Sequence, residues 1–328
     1  MESAPKSTPR NARMKKGAGE FWALGSVLGY SGANLFGRAA VVTGNPLAGP
    51  LLRDLPSLAM GISLLLRGHH YRQLQAGHAE FAGRPLLVFI GSGLISTLGT
   101  FSFFIALQLG GVNIVVPVLQ TQIIWGAIFG WWLLREAVST RGILGIIVTV
   151  AGLAILSIGQ SLGVPASDSW GWGLLLALVP AVAWGFTGVI WRYGQQRGVD
   201  RSSGITVHYG TSVAASVIFL LTSGNWVVYQ NIRPGDLTAL AVSGVLGGVV
   251  AVYCMFTAMK LLPAATVLVL SGVTPLVTAL GGAIFLGEFI NTPMWLGILM
   301  TSAGVVIFQI SGVVRVKPHQ KPSSPAGG

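Results

Sequence analysis

The feature that most constrains this chain is its run structure. Between residues 20 and 312 it holds ten apolar stretches, near 21–42, 47–66, 86–108, 112–134, 142–160, 171–191, 204–222, 237–259, 263–286 and 293–312. Each is close to the roughly 20 helical residues needed to cross a hydrocarbon layer about 30 Å thick. The runs are continuous rather than alternating, whereas a membrane sheet must close into a barrel of alternating strands, so they read as helices. Composition agrees. Hydrophobic residues make up 52% and charged residues only 9%, against roughly a quarter charged in an ordinary globular domain. The expected class is an all-α membrane protein.

A formal charge of +11 on a soluble chain would suggest nucleic acid, but here the basic residues lie between apolar runs, as in loops facing anionic lipid. Placing the amino terminus in the cytoplasm puts 17 of the 20 lysines and arginines on that side. Arg233 alone falls in an outer loop, and Arg38 and Arg53 fall inside helices. One missed span would invert every later loop and destroy this bias. The expectation is therefore a multi-pass inner (plasma) membrane protein. Both termini and the Arg72 loop should be cytoplasmic, and the segments around Asp168 and Arg233 external. Residues 1–19 and 313–328 read as disordered basic tails. The single cysteine, Cys254, excludes a disulfide framework and a thiolate metal cluster, and the spacing of His69, His70 and His78 matches no standard metal site.

The chain also contains a duplication. A shift of 152 residues aligns 106–158 with 258–310 without a gap, and 16 of the 53 pairs are identical. The best stretch pairs Leu134, Glu136, Thr140, Leu144, Gly145, Ile146, Thr149, Ala151, Gly152, Ile155 and Ile158 with Leu286, Glu288, Thr292, Leu296, Gly297, Ile298, Thr301, Ala303, Gly304, Ile307 and Ile310. Each half, 20–160 and 170–312, holds five spans. An odd number forces the second copy to enter the membrane upside down. Inverted repeats of this kind build secondary transporters with a substrate site near the midplane.

Two five-helix halves, each with an apolar fourth helix ending in a glutamate and then a glycine-bearing fifth helix (Gly130 to Gly152, Gly282 to Gly304), resemble the EamA type of the drug/metabolite transporter superfamily. The resemblance implies helices 1–4 and 6–9 around a central cavity, helices 5 and 10 at the periphery, and transport of metabolites such as amino acids, often outward. It also implies a proline midway along each fourth helix. Pro275 fits in the second half, but its counterpart by the 152 shift is Ile123, flanked by Gln120 and Gln122, so an asymmetric cavity is expected.

Polar residues inside the spans are the candidate site. Ser26, Tyr30, Asn34 and Arg38 recur every four residues along one face of helix 1, where they either line a cavity or bond to neighbouring helices. Arg38 and Arg53 lie in the outer part of their spans, with Asp54 able to neutralise one of them. The surplus positive charge could receive a carboxylate or phosphate. Gln120 and Gln122 must face protein or water, because an amide facing lipid would leave its hydrogen bonds unmet. Trp125, Trp184, Tyr209 and Tyr253 could line a pocket or simply pack, and His208 is a further candidate.

No phosphate loop, H-E-x-x-H, G-x-S-x-G or carboxylate pair within one span is present, so nothing calls for a catalytic residue, a metal or a cofactor. The expected function is secondary transport, as exporter or exchanger, of small polar metabolites such as amino acids. Carriers of phosphorylated sugars or nucleotide-sugars and broad drug exporters are the alternatives, with a membrane-embedded transferase or a channel behind them. The expected partners are a small-molecule substrate and the lipid bilayer, with no nucleic acid.

Overall fold

The computed structural model describes residues 9–68, 70–74, 85–163, 169–262, 267, 270–311 and 313–315. The expected loop around Asp168, His69, His78, and tail residues 1–8 and 316–328 lie outside the described residues. The first two spans are α1 (Pro9–Thr43) and α2 (Gly49–Arg67). Span 3 is α3 (Leu87–Gly110), and span 4 is split into α4 (Val112–Leu119) and α5 (Gln122–Leu134). Spans 5 to 7 are α6 (Thr140–Gly163), α7 (Trp170–Gln196) and α8 (Arg201–Thr222). Span 8 runs through α9 (Pro234–Gly244), a π-helical turn (Val245–Ala251) and α10 (Val252–Leu261). Span 9 ends in α11 (Thr274–Leu286), and span 10 is α12 (Thr292–Ser311). Helix α1 begins at Pro9, inside the segment expected to be a disordered tail.

Seven of these spans are individually long and apolar enough to cross a membrane. The others are the shorter apolar α11, and α1 and α2, which carry Arg38, Arg53 and Asp54. Around the outside, Leu28, Leu98, Trp131, Trp132, Ile218, Ile284 and Phe285 are exposed, an apolar surface suited to lipid. Two three-residue strands, β1 (Glu136–Val138) and β2 (Val313–Arg315), pair antiparallel and tie the residues after α12 to the α5–α6 loop. We call this side, where Gly19 also meets Leu262, the terminal face; the side bearing Asn225–Tyr229 and Arg233 is the far face.

Packing follows a pseudo-twofold axis. Span 3 packs on span 6 as span 8 packs on span 1, and span 4 on span 6 as span 9 on span 1; spans 2 and 7 pair with each other, as do 5 and 10. Spans 4 and 9 both break, and at repeat-equivalent positions. In span 4 the N–H groups of Gln120 and Thr121 turn back to the carbonyls of Pro117 and Val118. In span 9 the turn is at Gly272–Val273, where the Val273 N–H reaches Leu270 O. Span 4 thus breaks as span 9 does, although Ile123 stands where the second half has Pro275. Pro275 lies just after the second break and lacks the N–H that would bond Ser271 O across it, whereas Pro117 lies before the first break and removes a bond to Asn113 O within α4. The ends match too: Arg135 (φ 54°) and Gly287 (φ 64°) are both left-handed caps, donating to Gly130 O and Gly282 O.

On the terminal face α8 starts at an N-cap, Asp200, whose Oδ1 accepts from the Ser202 N–H at 2.8 Å and from the Ser202 hydroxyl, with His70 Nε2 3.6 Å from its other oxygen. Partial burial raises the Asp200 carboxyl, but the Ser202 hydrogen bonds and His70 outweigh it and hold the group below its ordinary value.

Helices α6 and α12 sit at the periphery and meet through repeat-related glycines. A Cβ on Gly152 would lie 2.5 Å from Thr301 N, and one on Gly304 would collide with Thr149 N; Thr149 and Thr301 are themselves repeat mates. Such close backbone approach is how membrane helices gain packing without a hydrophobic drive. Gly152→Val and Gly304→Val should therefore each destabilise the protein, by similar amounts of about 1–3 kcal/mol. Thermal unfolding in detergent checks this, and an unchanged midpoint in either variant would contradict the packing described.

Candidate functional site

The centre of the bundle is polar and is organised by one dipeptide near the far-face end of α2. Neighbouring helical residues point about 100° apart, so Arg53 and Asp54 face different neighbours. The Arg53 guanidinium carbon lies 4.5 Å from the Phe103 ring centroid, 4.7 Å from Trp184 and 5.9 Å from Phe104. Three aromatic faces from α3 and α7 thus box in the cation, an arrangement favoured by their quadrupoles. The Tyr30 and Tyr209 hydroxyls are within electrostatic reach of it. Arg53 is half-buried, yet its Nη1 is fully buried and has no hydrogen-bond partner, and no carboxylate lies within 4 Å of it among the described residues.

Asp54 is buried and turns to hydroxyls instead. Ser212 Oγ on α8 donates to Asp54 Oδ2 at 2.5 Å, and Thr97 Oγ1 on α3 lies 3.0 Å from Ser212 Oγ. One turn away, His208 Nδ1 is 2.9 Å from Ser92 Oγ, which donates to Phe89 O and so accepts from the ring. The His208 ring stacks edge to face with Tyr209 and Trp191, and Tyr209 shares a hydrogen bond with Ser57.

Other expected residues fall elsewhere. Asn34 is buried on α1, in line with buried Ser26 and half-buried Tyr30 and Arg38, so the helix 1 stripe faces protein. Arg38 does not share Asp54. Its Nε lies 3.1 Å from Glu288 Oε1, and its Nη1 donates to Leu107 O and Gln108 O at 2.5 and 2.8 Å. Gln120 sits at the span 4 break. Gln122 opens onto a groove of about 320 Å³ between α5 and α7, lined also by Gly126, Gly185, Arg192 and Trp184. Trp184 thus lines this groove and also flanks Arg53. Trp125 is a half-buried packing residue beside the main core. Tyr253 is 60% exposed and packs on Trp22 at the outer surface, away from the central cluster. A second cavity, about 440 Å³, is formed by far-face residues including Asn45, Asn225 and Asp236 and contains none of the expected site residues. Ser92, Thr97, Ser212 and Phe103 belong to the cluster but were not singled out by sequence. Small hydroxyls and phenylalanines are common in every span, and only their meeting around α2 distinguishes these four.

Ten spans in two repeats, with paired helix breaks and a charged, aromatic-walled centre, define a membrane transporter. The chain belongs to the EamA-like transporter family, whose model matches residues 17–158 and again 171–309. It is 35% identical over 85 residues (26% of this chain, 79% of the relative) to a probable 4-amino-4-deoxy-L-arabinose-phosphoundecaprenol flippase subunit ArnE of Erwinia tasmaniensis. It is 30% identical over 139 residues (42% of this chain, 96% of the relative) to an uncharacterized transporter of a Sinorhizobium species. One solved crystal structure shares the fold at a TM-score of 0.58 and 16% identity, covering 89% of this chain and 96% of that one.

Two serines on α8 separate bonded from unbonded hydroxyls. Ser212→Ala removes the donor to Asp54 and should cost about 1–3 kcal/mol. The Ser216 hydroxyl is buried with no partner, so Ser216→Ala should be neutral or stabilising. Comparison of thermal midpoints in detergent checks the contrast, and equal shifts would contradict the Asp54–Ser212 bond.

Proposed function

We propose that this transporter carries small polar metabolites bearing an acidic group, amino acids foremost, by export or exchange, and that Arg53 is the anchor for that group. The observation supporting this is the state of Arg53: a guanidinium set against aromatic rings, with a buried, unpartnered Nη1 and no ion pair to Asp54. An aromatic box holds the plane of the guanidinium fixed while leaving an edge for a carboxylate, and guanidinium binds carboxylates in two places at once. The polar wall opposite, from Asp54, Ser212, Thr97 and His208, suits an amine or hydroxyl on the same molecule. On the bias of basic residues, the terminal face lies in the cytoplasm of a plasma-membrane protein and the far face outside. An impermeant thiol reagent should therefore reach Asn231→Cys, on a Cys254→Ala background, from outside intact cells.

A second reading replaces the carboxylate with a phosphate ester. It is supported by the name of the Erwinia relative, whose cargo carries a phosphate, and the same guanidinium edge accepts either anion.

Counterflow into vesicles, with a panel of amino acids, their decarboxylated amines and sugar phosphates, separates the readings. Arg53→Lys should weaken binding of the acidic cargo by about 10-fold or more, since it keeps the charge but loses the planar fork. Arg53→Gln should weaken it further. Asp54→Asn should do less harm to anion binding than Arg53→Gln, because Asp54 is not the ion-pair partner of Arg53. Equal damage from Arg53→Gln and Asp54→Asn, or full transport by inserted Arg53→Gln protein, would remove Arg53 from the site.

A further inference from the structure

We propose that the groove between α5 and α7 is the subsite for the apolar side chain of the cargo, so that the preferred substrates are amino acids with extended hydrocarbon side chains. This rests on the reading of Arg53 as the acid anchor and adds the surface that reads the rest of the molecule.

Trp184 connects the two. Its ring lies 4.7 Å from the Arg53 guanidinium carbon and packs on Phe103 with centroids 5.4 Å apart, and the same residue lines the groove. One indole therefore stands between anchor and groove, a distance that an acidic group and its own side chain can span. The groove holds about 320 Å³ and runs from Gln122 and Trp184, midway along spans 4 and 6, to Leu134 and Arg192 near the terminal face. Its inner end is polar. Among the described residues neither the Gln122 amide nor the Trp184 N–H has a hydrogen-bond partner, and both side chains are half-buried. Beyond them, from Gln122 to Gly130, about 12 Å of α5 presents an apolar wall.

The glycines of this groove are not all packing residues. A Cβ on Gly185 would lie 2.5 Å from Gln122 O, and one on Gly126 3.6 Å from Gly185 O, so these two let α5 and α7 touch. A Cβ on Gly188 would meet nothing within 4 Å, although Gly188 lies inside α7, where glycine weakens a helix. Packing gives no reason for a glycine there, whereas room in the groove does.

The order of polarity selects the occupant. A phospholipid would set its headgroup by Arg192 and press its chain end against the Gln122 amide, which needs hydrogen bonds. A cargo held at Arg53 lies the other way round, with its polar backbone beside the amide and the indole N–H and its hydrocarbon along the glycines. Burying that hydrocarbon raises affinity with its length, by about fourfold per methylene.

The test is competition in vesicle counterflow by alanine, 2-aminobutyrate, norvaline and norleucine, and by the amines that lack their carboxylates. Affinity should rise along the acid series. Gly188→Leu, which fills the groove without a clash, should lower the norleucine-to-alanine affinity ratio by about tenfold or more. No rise with chain length in the unmodified protein, or equal losses for alanine and norleucine in the variant, would overturn the proposal. An unchanged ratio in inserted Gly188→Leu protein would overturn it too, and loss of co-purified phospholipid from that protein would then assign the groove to lipid. Should Gly188→Leu fail to insert, Gly188→Ala must lower the ratio in the same direction, and its failure to do so overturns the proposal equally. Failure of the anchor reads out separately, as Arg53→Gln protein that still prefers each acid to its amine, whereas the groove reads out as length dependence in both series.

Discussion

Every backbone N–H and C=O inside a bilayer must find a partner within the protein, and the rest of this structure depends on how that demand is met where the helices stop. Spans 4 and 9 are interrupted in mid-membrane, so carbonyls and amides are freed where no water is guaranteed. The interruptions are tolerable because they are covered. All of Val112–Leu119 is buried, and the turn after it is closed by short-range bonds and the Thr121 hydroxyl; at the other end of α4, the first N–H groups of the helix go to Glu288. A charged residue in a loop of the second repeat thus completes the backbone of the first.

The same economy governs the side chains. An isolated charge in a membrane interior is costly, and the chain offers three kinds of relief. Arg38 has a carboxylate and two carbonyls, Asp54 has a hydroxyl, and Arg53 has aromatic faces with, among the described residues, no carboxylate within 4 Å. The anchor role proposed for Arg53 draws on this difference, since a ligand there would displace no carboxylate among the described residues. Had Asp54 reached around α2 to Arg53, an incoming anion would have had to compete with it.

What could be read from sequence was what depends on local pattern. The ten spans follow from hydropathy, and the duplication from identities such as Glu136 with Glu288 and Gly152 with Gly304. The intramembrane Arg53, Asp54 and His208 stood out because such residues are rare in lipid, and the structure brings them to one region. Direction and partnership were not legible. Depth suggested that Tyr253 could line a pocket, but the turn of its helix puts it outside against Trp22. Arg38 appeared to compete for Asp54, because its true partner lies 250 residues away in a loop that looked solvated. The absence of a proline at Ile123 suggested asymmetry, whereas span 4 breaks at the place equivalent to the span 9 break without one there.

The small ladder between β1 and β2 closes a loop in the chain, from the end of the fourth span to the end of the tenth. Residues 313–315 leave the last span and hydrogen-bond to the loop that ends the fourth, so the final described segment belongs mechanically to the middle of the sequence. A reporter attached just past Arg315 would consequently ride on the first repeat's loop beside Glu136, following that loop rather than the end of α12.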